Sequence, residues 1–273
     1  MTNPSASSSV TGVPAARCPK GGATELTLSV VIPAFNEEQR IGPTLEELAS
    51  YLGARGWGFE ILVVDDGSTD GTVALCQRLA VRWPALRVLA TAPNRGKGHA
   101  VRVGMQAARG AFVLMTDADG STPPSELPRL LRPLFLGRAA IAIGSRYLPG
   151  AAPADQPLWR RLWSRAVNLV IRSTLCPGVR DTQCGFKVFT AAAARQLFSR
   201  ATVDGWAFDL EVLALARRLR LRVAEVPVAW KDDRRSRVRP WRDLWKVIHE
   251  AAAIKRNLAS GAYGLPTAGR LGA

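Results

Sequence analysis

Short apolar runs alternate along this chain with stretches whose apolar residues recur every three to four positions. Leu28-Ser29-Val30-Val31-Ile32-Pro33, Phe59-Glu60-Ile61-Leu62-Val63-Val64, Leu86 to Leu89, Phe112 to Asp119 with two acids at its end, Ala139 to Ile143 and Val223 to Trp230 have the length and content of strands. Between the first two, Ile41, Leu45, Leu48 and Leu52 recur at helical spacing. That predicts a helix capped by Asn36, with Glu37 and Glu38 in its first turn and Gly53 at its end. Further helices are predicted over 72–82, from Gly98 to Ala108, from Pro123 to Leu136 and around Ala191 to Phe198. Another follows Gly205-Trp206-Ala207-Phe208-Asp209-Leu210-Glu211, and a last one starts at Pro240. Arg180 to Lys187 reads as a polar connector.

Strands that are apolar throughout belong to a parallel sheet covered on both faces. The expected fold class is therefore α/β, a single domain with a mostly parallel sheet over residues 26–230. Residues 1–25, mostly Ser, Thr, Ala, Pro and Gly, read as a disordered tail without the apolar core of a signal peptide. Residues 231–273 read as a basic loop, an amphipathic helix and a tail. Along 158–175, Trp159, Leu162, Trp163, Ala166, Val167 and Val170 share one helical face, while Arg161, Arg165, Asn168 and Arg172 share another. Two readings stay open there: a helix lying in a membrane interface, or a surface helix with its tryptophans in the core.

The predicted strand ends concentrate the chemistry. Asn36-Glu37, Asp65-Asp66 and Asp117-Ala118-Asp119 each follow an apolar run, and right-handed crossovers would bring all three to one sheet edge. In extended chain, Asp117 and Asp119 project together while Ala118 points away. Their hard oxygens suit Mg²⁺ or Mn²⁺ on a diphosphate, although two solvated acids could equally open the turn toward Thr122-Pro123. Asp65 and Asp66 could cap the next helix or fix a nucleotide base. Gly96-Lys97-Gly98 offers close backbone approach and a cation to an anion.

Charge changes this picture. The chain of 273 residues carries a net +15, unevenly: 15 Lys and Arg against 12 Asp and Glu up to residue 150, then 22 against 10. A positive second half attracts polyanions, which include anionic lipid and nucleic acid. The acidic strand ends leave nucleic-acid binding without support, and no such motif occurs. No G-x-G-x-x-G follows the first strand, which argues against a dinucleotide oxidoreductase. Cys18, Cys76, Cys176 and Cys184 lack metal-site spacing and are read as reduced; His99 and His249 are too few for a zinc site. No apolar run approaches the ~20 residues of a membrane span.

Val30 to Glu38, Val64-Asp65-Asp66-Gly67-Ser68-Thr69-Asp70-Gly71-Thr72, Asn94-Arg95-Gly96-Lys97-Gly98 and Asp117-Ala118-Asp119 together resemble family 2 glycosyltransferases of the GT-A fold. Asp181-Thr182-Gln183-Cys184-Gly185-Phe186-Lys187 and Gly205 to Glu211 resemble, more narrowly, the polyprenyl-phosphate branch that includes dolichyl-phosphate β-glucosyltransferases. The resemblance runs over residues 28–255. It implies a UDP- or GDP-sugar donor, a polyprenyl phosphate acceptor and Mg²⁺ or Mn²⁺; with such an acceptor, the positive second half is expected to dock the chain peripherally on an anionic membrane, on its cytoplasmic face. It places Pro33, Phe35, Glu37, Asp65 and Asp66 at the nucleoside, and Arg95, Lys97 and Ala118 at the donor. Asp117 and Asp119 would hold the metal, and Arg146 would meet the acceptor phosphate. Gln183 and Lys187 would stand by the sugar and phosphates, with Asp209 and Glu211 near the reacting centre. Mannose synthases carry a glutamine where Ser121 stands here, so the resemblance favours glucosyl transfer.

Overall fold

A computed structural model describes residues 26–151, 176, 178–231 and 240–265. The expected tail 1–25, the expected helix 158–175 and the charged loop 232–239 lie outside the described residues.

The apolar runs become strands: β1 Leu28–Ala34, β2 Phe59–Asp66, β3 Leu86–Thr91, β4 Phe112–Thr116, β5 Ile141–Ser145, β6 Phe186–Thr190 and β7 Val223–Pro227. They form one sheet in the order β3-β2-β1-β4-β6-β5-β7. β1, β2, β3 and β4 run parallel, with Ala34 opposite Asp65 and Val31 opposite Met115. β6 runs antiparallel to both β4 and β5, and β5 is again parallel to β7. The C-terminal ends of β1, β2, β4 and β5 therefore share one edge. β1 is buried along its whole length, and β2 from its second residue, as expected of strands covered on both faces.

The covering helices are α1 Ile41–Gly53, α2 Thr72–Arg82, α3 Lys97–Ala107, α4 Leu127–Phe135, α5 Ala191–Phe198, α6 Phe208–Arg218 and α7 Pro240–Ser260; a 3-10 turn, Pro124–Glu126, precedes α4. α3 reaches close to the sheet because Gly104 has no side chain: a Cβ there would lie 2.4 Å from Val31 Cγ1 and 2.8 Å from Val64 Cγ2. Burying these apolar faces is the main stabilising term, at roughly 25 cal/mol per Å² of apolar surface. Cys76, Cys176 and Cys184 are free and buried, and burial pushes their thiols up to about 11, 12 and 12. Among the described residues no helix is long and apolar enough to cross a membrane.

Two local expectations are corrected. Asn36 does not cap α1, which starts at Ile41 after Arg40 with no acidic residue in its first turn. Asn36 instead adopts a left-handed φ of 57° and its carboxamide oxygen accepts from Thr69 N–H at 2.8 Å, stapling the loop after β1 to the loop after β2. The connector expected over 180–187 ends in strand β6, whose apolar pattern is broken by a buried lysine.

Candidate active site

At the shared strand edge lies a cavity of about 320 Å³. Pro33, Ala34 and Phe35 line it from the end of β1, with Glu37 and Arg40 from the following loop. Asp66 comes from β2, Asn94, Gly96, Lys97 and Ala100 from the start of α3, and Asp117, Ala118 and Asp119 from the end of β4; Trp206 closes one side. Of the expected site residues, Pro33, Phe35, Glu37, Asp66, Lys97, Asp117, Ala118 and Asp119 are thus brought together. Arg40, Asn94 and Trp206 are additions. Phe35 and Trp206, each 42% exposed, are two large apolar side chains open to solvent on the cavity wall.

β4 stops at Thr116, so the two carboxylates sit on a turn rather than on extended strand. Ala118 is buried between them, and its carbonyl accepts from Thr44 Oγ1 at 2.9 Å, which fixes the turn to α1. Asp119 Oδ1 accepts from Ser121 N–H at 3.0 Å, and Asp117 Oδ1 accepts from Lys97 Nζ at 2.6 Å. Opposite Asp117, Gly185 leaves the room the carboxylate occupies: a Cβ there would lie 1.9 Å from Asp117 Oδ2. Burial opposes the charge on Lys97, but Asp117 and Asp209 outweigh it and hold its pKa above the ordinary lysine value. Lys97 is therefore a cation at neutral pH, with its ammonium 5.4 Å from the Trp206 ring.

Asp65 and Asp66 neither cap α2, which Gly71 precedes, nor play equal parts. Asp65 Oδ2 accepts from Gly67 and Ser68 N–H at 3.1 and 3.0 Å, and its buried Oδ1 has no partner. Asp66 holds the next segment: Oδ2 accepts from Arg95 N–H at 3.0 Å and Gly96 N–H at 2.6 Å, and Oδ1 lies 3.1 Å from His99 Nδ1. The glycines of Gly96-Lys97-Gly98 serve a different purpose from the one expected. A Cβ on Gly96 would lie 2.5 Å from Asp204 O, and one on Gly98 2.4 Å from Val203 O. They admit the backbone of residues 203–205, and the chain loops over the start of α3.

That loop is tied down on several sides. His99 N–H donates to Asp204 O at 3.2 Å, and the Asp204 carboxylate takes Arg95 at 2.8 Å and also Arg102. Burial opposes the Asp204 charge, but the two guanidinium groups outweigh it and lower its pKa. Glu211, fully buried on α6, accepts from Thr202 N–H at 2.9 Å, Val203 N–H at 3.0 Å and the Tyr263 hydroxyl at 2.8 Å. Glu250 on α7 accepts from Ala207 N–H at 2.8 Å.

Several expected residues lie away from the cavity wall. Gln183 is exposed, and Arg95 is engaged by Asp204. Lys187 is 1% exposed and donates to Cys184 O and to Asp209 Oδ1, the latter at 2.5 Å. Burial raises the Asp209 pKa, while Lys187 and Lys97 pull it back. Glu211 is a structural anchor, as described above. Arg146 forms a two-pronged pair with buried Asp181, Nε to Oδ2 at 2.8 Å and Nη2 to Oδ1 at 2.9 Å, over the Trp230 ring. Trp206 could have been suspected from its place between two small residues, just ahead of the acid-bearing start of α6.

A mostly parallel sheet with an acidic, lysine-bearing cavity at the C-terminal ends of its strands defines an α/β protein whose site suits a cation and a phosphate-bearing ligand. The model for glycosyl transferase family 2 matches residues 29–198, and the chain belongs to that family. It is similar to the dolichyl-phosphate beta-glucosyltransferase of Drosophila melanogaster, 40% identical over 230 residues, which are 79% of this chain and 70% of the relative. A Trichomonas vaginalis dolichyl-phosphate beta-glucosyltransferase is 39% identical over 219 residues, 77% of this chain and 65% of its own. This chain thus spans about two thirds of these relatives' length. Among solved structures, glucosyl-3-phosphoglycerate synthase from Mycobacterium tuberculosis in complex with Mn²⁺, UDP and phosphoglyceric acid superposes with a TM-score of 0.62 at 24% identity, covering 89% of this chain and 80% of that one.

Proposed function

We propose that this chain transfers a hexose, glucose from UDP-glucose, onto a polyprenyl phosphate with inversion, giving a β-linked lipid phosphate sugar. The observation that carries the reading is the trio of Asp117, Asp119 and charged Lys97 on one cavity at the strand edge, in a chain whose relatives are named dolichyl-phosphate beta-glucosyltransferases.

The cavity suits a divalent cation shared with a diphosphate. Two hard carboxylates face it, the space beside Asp117 is kept by Gly185, and among the described residues no third acidic, His or Cys ligand joins them. Such a donor set leaves most coordination to substrate oxygens and water, the usual habit of Mg²⁺ and related ions. When bound by Asp117 and Asp119, Mg²⁺ or Mn²⁺ supplies charge neutralisation to the departing diphosphate. Lys97 adds a fixed ammonium for the same developing charge, already oriented by Asp117. The acceptor needs little activation: a phosphomonoester has its second pKa near ~6 and is a nucleophile at neutral pH. Asp209, held by Lys187, therefore orients the site and takes no proton.

The basic second half fits attachment to anionic lipid on the cytoplasmic face, where the acceptor phosphate stands at headgroup depth. Purified protein with Mn²⁺ or Mg²⁺, polyprenyl phosphate and a panel of UDP- and GDP-sugars is expected to yield a hexosyl phospholipid by mass from UDP-glucose. Product from GDP-mannose instead would favour mannosyl transfer, and no product across the panel would overturn the reading.

A further inference from the structure

The C-terminal helix α7 stands behind the wall that Trp206 contributes to the cavity. Glu250 accepts the Ala207 N–H at 2.8 Å, and Gly205 lies so close that a Cβ on it would be 1.9 Å from Glu250 Oε1. Gly205 and Ala207 flank Trp206, so one carboxylate of α7 packs against the turn just before the indole and hydrogen-bonds it just after. The indole in turn lies 5.4 Å from Lys97 Nζ, the ammonium bonded to Asp117. Residues 202–204 are separately held by Glu211, Arg95 and Arg102, whereas Glu250 ties down the backbone of the Trp206 turn itself.

We propose that Glu250 is a positioning residue for the donor site: it seats Trp206 against Lys97, so that the C-terminal helix completes the pocket that binds the nucleotide-sugar. Glu250 touches no substrate in this role; its effect passes through Trp206. The required feature is an oxygen that accepts the Ala207 N–H, which glutamine also supplies and alanine does not. The binding arm of the test rests on the transfer reading for its probe, UDP-glucose; the indole arm is independent of it.

Glu250→Ala, Glu250→Gln, Trp206→Ala and the double variant Glu250→Ala/Trp206→Ala are compared in the full chain. Loss of one hydrogen bond to a charged acceptor predicts about a tenfold weaker UDP-glucose affinity for Glu250→Ala, read as KM with a smaller change in kcat. Glu250→Gln should recover most of that loss, and the double variant should be no weaker than Trp206→Ala alone. Acrylamide should quench the fluorescence of Glu250→Ala more than that of wild type, and this difference should vanish in the Trp206→Ala background. Additive losses in the double variant, or Glu250→Gln as impaired as Glu250→Ala, would overturn the proposal. Wild-type protein that neither binds nor uses UDP-glucose would instead overturn the transfer reading, while the quenching comparison still decides whether Glu250 seats the indole.

Discussion

Lys187 Nζ donates to Asp209 Oδ1 at 2.5 Å, and both side chains are buried. The pair joins β6 to the first turn of α6, near enough to Lys97 and Asp117 to feel their charges. Removing the lysine strands a carboxylate out of water. Lys187→Met is therefore expected to lower the unfolding free energy by roughly 3–5 kcal/mol, and Lys187→Met/Asp209→Leu to recover part of it. Urea denaturation measures both; a Lys187→Met protein as stable as wild type would mean the pair contributes nothing to stability.

Asp119 has a different status. Its hydrogen bond is local, to Ser121 N–H. Asp119→Ala should leave the thermal midpoint nearly unchanged and reduce kcat by about 10² or more, the loss seen when a group opposing developing charge is removed. Full turnover in that variant would overturn the metal assignment.

Gly98 meets backbone and the root of a side chain, neither of which can swing away: a Cβ on it would lie 2.4 Å from Val203 O and 2.8 Å from Phe208 Cβ. Gly98→Ala must push the 203–205 segment away from α3. The expected cost is about 1–3 kcal/mol, together with weaker UDP-glucose binding because Trp206 moves with that segment. Denaturation and calorimetry on the same sample test the two effects.

Acid should unfold the protein in part through Asp181. Burial alone would raise this carboxyl, but Arg146 outweighs burial and holds it below its ordinary 3.8. Its contribution is fully present above that ordinary value and is lost as pH falls through the depressed native value. Asp181→Asn should be less stable at pH 7 and lose less stability between neutral and strongly acidic pH than wild type. Parallel curves for the two proteins would contradict this.

Attachment to lipid is tested by vesicle co-sedimentation. With several basic residues near an anionic surface at ~1 kcal/mol each, the protein should pellet with anionic liposomes, less so at high salt. Equal, salt-insensitive pelleting with neutral liposomes would sink the electrostatic part of the reading.

The parallel core was legible because β1, β2 and β4 are apolar enough to be strands whatever surrounds them. The acidic edge was legible for the same reason, since the strand ends are marked by where apolar residues stop. β6 was not, because a charged Lys187 among five residues looks like a loop until its partner Asp209, twenty-two positions on, is known. The glycines around Lys97 misled in a related way: a missing side chain signals close approach but not by whom. Asp204 O and Val203 O, more than a hundred residues later, are the neighbours. Asn36 followed the local rule for a cap, yet a bond to Thr69 from the adjacent loop draws it into a turn.

The position of β6 between β4 and β5 bears on how the chain is made. On a ribosome, Thr116 emerges about seventy residues before Phe186, so at 5–20 residues per second the β4 edge waits roughly 4–14 s for its neighbour. During that time Phe112 to Thr116 presents unpaired backbone flanked by apolar side chains, a template for pairing with another nascent chain. Yield in a cell should therefore depend on what shields that edge during synthesis, more than on the stability of the finished sheet.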